Sequence, residues 1–121
     1  MKIYRSTNTK NILLSLLENE PLAIDDLKEL KGNTTDAALE KHVPVMELDG
    51  NNLLVKVGSV AHPMLPEHHI SFILVETNMG LLIANLKVSE PAEARFLLRE
   101  NEEVQAVYEY CNLHGLWKLE K

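Results

Sequence analysis

The chain has a single cysteine, Cys111, so no internal disulfide can staple it and nothing points to a secreted, disulfide-supported fold. It also lacks long apolar runs. The run near the start, Ile12–Leu17, is interrupted by Ser15 and followed at once by Glu18, Asn19, Glu20 and Pro21. That is too short for a signal-peptide core, and no small-residue cleavage site accompanies it. Nowhere does the chain approach the roughly 20 apolar residues that span a bilayer. A cytoplasmic protein with no membrane partner is the expectation. Positive charge is scarce: 12 Lys and Arg face 18 Asp and Glu, for a formal charge of −6. Such a field disfavours nucleic acid and anionic membrane as partners. Repeats and low-complexity tracts are missing too.

What is present is ordinary in bulk, with 121 residues, 45% hydrophobic and 25% charged. This composition fits one globular domain, or one domain with a small appendage, rather than disorder. The text divides near Gly32-Asn33-Thr34-Thr35. Before the break, Ile12–Leu17 reads equally as a helical face or a buried strand, while Ile24, Leu27 and Leu30 recur at helical spacing. After it the pattern is β-like. Val43–Leu48 and Leu53–Val57 flank the turn signal Asp49-Gly50-Asn51. Ile70–Val75 and Leu81–Val88 flank Asn78-Met79-Gly80, and Arg95–Leu98 and Val104–Tyr110 complete the set. Short strands at this spacing predict a mostly β chain, an antiparallel sandwich or barrel.

Two parts are therefore expected, residues 1–35 and residues 36–121. The first holds five basic and five acidic side chains; the second holds seven and thirteen, so it carries the whole net charge. A 35-residue unit falls below the ~40 residues at which a chain usually needs a metal, a disulfide or a partner to stay folded. Having no Cys or His, it is expected to pack on the β domain or on a second copy in a homo-oligomer.

The minor residues are the unusual ones. Five histidines accompany the lone cysteine, at His42, at His62, His68 and His69, and at Cys111 with His114. A solitary surface histidine is ordinarily just solvated, and a solitary buried cysteine is a small hydrophobe. Cys111-Asn112-Leu113-His114-Gly115 is more pointed, because a turn there can aim a thiolate and an imidazole at one ion. The loop from His62 to His69 carries Pro63 and Pro66, which stiffen it and lower the entropy lost on binding. Adjacent residues of a strand face opposite ways, so His68 and His69 are not both expected to bind. Four histidines and a thiolate exceed what a four-coordinate structural zinc requires. Blue copper wants a weak methionine after the histidine, and every methionine here precedes Cys111. In Glu40-Lys41-His42-Val43-Pro44 an arbitrary Glu-Lys pair is an exposed one of little consequence. Beside a metal ligand, Lys41 is placed to draw in a small anion and Glu40 to cap a vacant position.

Glu-Lys-His-Val-Pro at 40–44, His-Pro-Met at 62–64 with a second histidine six residues after the first, and Cys-Asn-Leu-His-Gly-Leu-Trp at 111–117 together resemble superoxide reductase, the desulfoferrodoxin/neelaredoxin family. The resemblance covers about residues 33–118. It implies an immunoglobulin-like β-sandwich holding one mononuclear non-haem iron, with His42, His62, His68 and His114 in a plane and Cys111 along the axis. It implies that Glu40 ligates oxidised iron and that Lys41 steers superoxide and hydrogen-bonds the product peroxide. The implied activity is detoxification, in which superoxide and two protons become hydrogen peroxide without release of dioxygen and an electron donor such as rubredoxin restores ferrous iron. Two departures stand out. Residues 1–35 lack the four cysteines with which two-iron members bind a second iron. They keep only Ile3-Tyr4 and Asn11-Ile12, with Ser6, Thr9, Asp25 and Asp26 near the expected thiolates, which suggests a remnant without its metal. Phe72 stands where the family commonly has Trp. The alternative reading is a non-catalytic metal-binding or electron-transfer module.

Overall fold

The computed structural model describes residues 1–17 and 24–121; Glu18-Asn19-Glu20-Pro21, which closes the first apolar run, lies outside the described residues. The chain divides into two compact units, Met1–Lys31 and Gly32–Lys121. None of the helices among the described residues is long and apolar enough to cross a membrane.

In the first unit the ambiguous segments are strands. β1 (Lys2–Ser6) lies between β2 (Ile12–Ser15) and β3 (Leu27–Glu29), all antiparallel. Ile12, Leu13 and Leu14 stand opposite Arg5, Tyr4 and Ile3, so cross-strand pairing decides a run that periodicity left open. The helical spacing of Ile24, Leu27 and Leu30 is overridden in the same way, because Leu27 pairs with Ser6 and the Leu30 amide donates to the carbonyl of Ile3. Ser6 Oγ accepts from the amides of Asn8 and Thr9 and closes the turn after β1. Asn8 Nδ2 donates to Asp26 Oδ2 at 3.3 Å.

The second unit is a sandwich. After the single turn α1 (Leu39–His42) come β4 (Pro44–Asp49), β5 (Asn52–Val57), β6 (Ile70–Thr77), β7 (Gly80–Asn85), β8 (Glu93–Leu97), β9 (Val104–Cys111) and β10 (Gly115–Glu120). One sheet runs β10-β9-β6-β7 and the other β4-β5-β8, with antiparallel neighbours throughout. The expected hairpins close at Gly50-Asn51 and Asn78-Met79. β7 stops at Asn85, short of the Val88 suggested by hydrophobicity, because Leu86 turns against the core and Ser89 takes a left-handed φ of 72°.

Alternation explains the core. In β5, Leu53, Val55 and Val57 are buried while Leu54 and Lys56 are only partly so, the period of a half-buried strand. They pack with Ile70, Ile73 and Val75 of β6 and with Val107 and Cys111 of β9. Fully burying each Val, Leu or Ile is worth about 1.5–3 kcal/mol, so this shared cluster holds the two sheets together.

Candidate metal centre

Register brings the ligand-type residues to one end of the sandwich. Pro44 at the start of β4 stands opposite Val57 at the end of β5, which sets His42 beside the loop that begins at Gly58. Ile70 at the start of β6 stands opposite Cys111, and Cys111 stands opposite Gly115. The loop carrying His62 and His68 thus meets the β9–β10 turn. Gly115 completes that turn at φ 79°, a left-handed conformation that a side chain would strain. Gly58 serves a different need. A Cβ there would lie 2.7 Å from the Glu40 carbonyl oxygen and 2.8 Å from that of Val43, so only glycine lets α1 sit this close.

The four imidazoles form a ring of rings. Centroids are 4.7 Å apart for His42 and His62, 4.6 Å for His62 and His68, 5.1 Å for His68 and His114, and 4.9 Å for His114 and His42. The diagonal from His42 to His68 is 6.5 Å. Neighbours meet edge to face at 76–88°. Donor atoms of His42, His62, His68 and Cys111 all lie within 4.8 Å of one another. His114 borders that group, with Nδ1 3.1 Å from His42 Nε2 and 3.8 Å from Cys111 Sγ. The sulfur also lies 3.6 Å from His62 Nε2. His69 stays outside, turned to the Leu65 carbonyl.

The chemistry of this donor set fits a metal cation. His42 Nδ1 lies 2.7 Å from the Ala38 carbonyl oxygen, and His62 Nδ1 lies 2.7 Å from that of Pro63. Each Nδ1 therefore carries the proton, leaving lone pairs on both Nε2 atoms. Those two nitrogens face each other at 3.2 Å with no proton to share, and His68 Nε2 is buried without any hydrogen-bond partner among the described residues. Two lone pairs held this close, beside a buried ring nitrogen without a partner, are unfavourable unless a cation sits among them. Burial, opposed by the bonds to Ala38 and Pro63, lowers His42 below the ordinary imidazole range and His62 to about 4. Burial also lowers His68, and the charge of Lys41 opposes protonation of both His42 and His68. These rings are neutral at pH 7, the form that binds metal. Burial pushes the Cys111 thiol up, while the backbone N–H groups of His114 and Leu113 pull it down. A bound cation would settle the matter by displacing the proton.

Glu40 and Lys41 lie exposed on α1 beside His42, and the Glu40 carbonyl is held by the amide of Val60 at 2.9 Å. Phe72 stacks on Tyr110, at 5.9 Å between centroids and 6° between planes, away from the imidazoles. Two further residues at the site carried no role in the sequence reading. Trp117 is fully buried, stacks on His42 at 4.8 Å, and donates from Nε1 to the His114 carbonyl. Its position in the Cys111–Trp117 motif was the available signal. Glu109 is fully buried, its carboxylate oxygens without hydrogen-bond partners among the described residues, and burial holds it neutral with a pKa of about 9. Nothing in its neighbourhood, Tyr108-Glu109-Tyr110, announced that.

Comparison with known proteins gives one consistent picture. Residues 34–120 match the family described as Desulfoferrodoxin. A desulfoferrodoxin of Clostridium acetobutylicum is 42% identical over 126 residues, covering 98% of this chain and 94% of that one. A superoxide reductase of Thermococcus kodakarensis is 33% identical over 98 residues, covering 67% of this chain and 85% of that one. The crystal structure of the superoxide reductase from Treponema pallidum superposes with a TM-score of 0.82 at 35% identity, covering 99% of this chain and all of that one.

Proposed function

This chain belongs to the desulfoferrodoxin family, and on that premise we propose that it is a superoxide reductase with one mononuclear non-haem iron. The observation that carries the reading is the inward-facing donor set, in which donor atoms of His42, His62, His68 and Cys111 lie within 4.8 Å of one another, the His42 and His62 Nε2 lone pairs face each other at 3.2 Å, and His68 Nε2 is buried without a hydrogen-bond partner among the described residues. His42, His62, His68 and His114 are the proposed nitrogen ligands and Cys111 the thiolate. A ferrous iron held by these residues would supply the one electron that, with two protons, converts superoxide to hydrogen peroxide without release of dioxygen.

The protein's own groups set the conditions for that chemistry. The carbonyls of Ala38 and Pro63 hold His42 and His62 in one tautomer and one orientation, the usual task of the groups behind metal ligands. The N–H groups of Leu113 and His114 stabilise negative charge on the Cys111 sulfur. Trp117 stacks behind His42 and keeps water from that side of the ring. Lys41, exposed at the rim, is the proposed superoxide-steering group and hydrogen-bond donor to the product. Glu40 is the proposed sixth donor to oxidised iron. Residues 36–121 form the iron-binding domain in this reading, and residues 1–35 are a desulforedoxin-like remnant without metal. One electron enters per turnover, so a one-electron donor, of which rubredoxin is the family's example, is the proposed partner.

The test is superoxide consumption by the iron-loaded protein with excess reductant. It should be fast and should collapse in His42→Ala. Equal rates for the two proteins would overturn the assignment. A colourless protein that retains only zinc would instead favour a metal-binding module without catalysis.

A further inference from the structure

The four imidazoles are not held alike. His42 and His62 are each oriented by a ring N–H bond to a backbone carbonyl, and His114 sits in the tight β9–β10 turn with its carbonyl held by Trp117. His68 Nε2 has no hydrogen-bond partner among the described residues, and its loop lies outside the sheets, in the turn bridged by Leu65 and His68. A ligand on a loop without such support should lose precision, yet the His68 ring completes the square.

What holds it is Asn112, between Cys111 and His114. Its Oδ1 accepts from the His69 amide at 2.8 Å, its Nδ2 donates to the Glu67 carbonyl at 3.1 Å, and its own amide donates to the His69 carbonyl at 3.2 Å. These bonds grip the residues on both sides of His68 and tie them to the strand end that carries the thiolate. Fixing the backbone before and after a residue leaves its side chain only its own rotamers to choose among.

We propose that Asn112 is the positioning residue for His68, replacing with a backbone clamp the ring–carbonyl bond that orients His42 and His62. The clamp also couples the two ligand loops, so that His68 and Cys111 move as one unit. The inference rests on the metal-site reading above and deepens it.

Cobalt(II) tests it without recourse to activity, since both affinity and the thiolate-to-cobalt absorption can be read directly. Asn112→Ala removes both side-chain bonds, and its cobalt affinity should fall about 10- to 100-fold, the usual range for groups behind a ligand. The thiolate band should remain, because Cys111 keeps its place in β9. The decisive arm is a double-mutant cycle with His68→Ala. If Asn112 acts through His68, the second substitution should change affinity within about twofold, the scatter of additive cycles. Equal losses in both backgrounds would show a merely structural residue and overturn the proposal, as would wild-type affinity in Asn112→Ala. Asn112→Asp keeps the acceptor for His69 and loses the donor to Glu67. It should give an intermediate loss, and it carries the same cycle if Asn112→Ala does not fold. An iron-loaded protein inert toward superoxide would sink the functional reading alone; an additive cycle would sink the positioning role alone.

Discussion

Gly58→Ala is the sharpest single test of how the fold builds this centre. The added methyl would lie 2.7 Å from the Glu40 carbonyl oxygen, 2.8 Å from that of Val43 and 3.2 Å from the Lys41 carbonyl carbon. Ordinary contact begins near 3.4 Å, so the backbone on either side of Lys41 and His42 must retreat by about 0.6–0.7 Å. No flexible side chain is available to give way, because every crowded atom is main chain. Retreat also lengthens the bond from the Val60 amide to the Glu40 carbonyl, now 2.9 Å. Overpacking of this kind costs about 1–3 kcal/mol. In a domain of this size each kcal/mol lowers Tm by about 4–8 °C. The displaced segment carries Glu40, Lys41 and His42, so a shift of this size should also weaken metal binding and slow the reaction, up to about 100-fold for a misplacement near 1 Å. Thermal denaturation of the apo protein, cobalt titration and the superoxide rate are the three measurements. Unchanged Tm together with unchanged metal affinity would refute the claim that glycine is required for α1 to approach the site.

Further expectations follow from the same geometry. Lys41→Ile should slow the second-order reaction with superoxide by up to about tenfold and flatten its dependence on salt; an unchanged rate at low ionic strength would remove Lys41 from steering. Glu102 accepts from the Arg99 side chain and amide and from Thr77 Oγ1, and the Arg99 side chain foremost lowers its pKa to about 2 from a usual 4.5. With the folded value below the unfolded one, its contribution is present above pH 4.5 and is lost as pH falls toward 2. Melting temperatures across that window should therefore fall less steeply in Glu102→Gln than in the parent, and identical slopes would discount the cluster. Glu109→Met replaces an unpartnered buried carboxyl with an apolar side chain, and denaturant unfolding of the apo protein should show a gain of about 1–3 kcal/mol, a loss being the contrary result.

Much of the sandwich was legible because it obeys a local rule. Leu53, Val55 and Val57 alternate with Leu54 and Lys56, and the hairpin signals at Gly50 and Gly80 punctuate the strands. The first unit was not legible for the opposite reason. Ile12–Leu17 and Ile24–Leu30 are short apolar runs with two consistent periods, and only pairing with β1 selects the strand. Strand β10 was not legible because its first half, Gly115–Trp117, belongs to the metal-type motif and the rest reads as the motif's tail. At the site, the ligand types and their spacing were visible along the chain, whereas Trp117, Glu109, Gly58 and Asn112 act through neighbours that local pattern does not reveal.

Taken by itself, the sequence determined the chemistry that was available: four histidines and a cysteine spaced along a β-like chain, an acidic second part with Lys41 next to one of those histidines, and no cysteine to hold a second metal. Tertiary structure decided that these groups meet. His42 and His62 are 20 residues apart and His62 and Cys111 are 49 apart, yet their donor atoms come within 3.2 and 3.6 Å. The pairing of Pro44 with Val57 and of Ile70 with Cys111 sets those distances. Register is held by the side chains that two facing sheets can bury together, and burial of that kind depends on the whole domain rather than on any one segment of it.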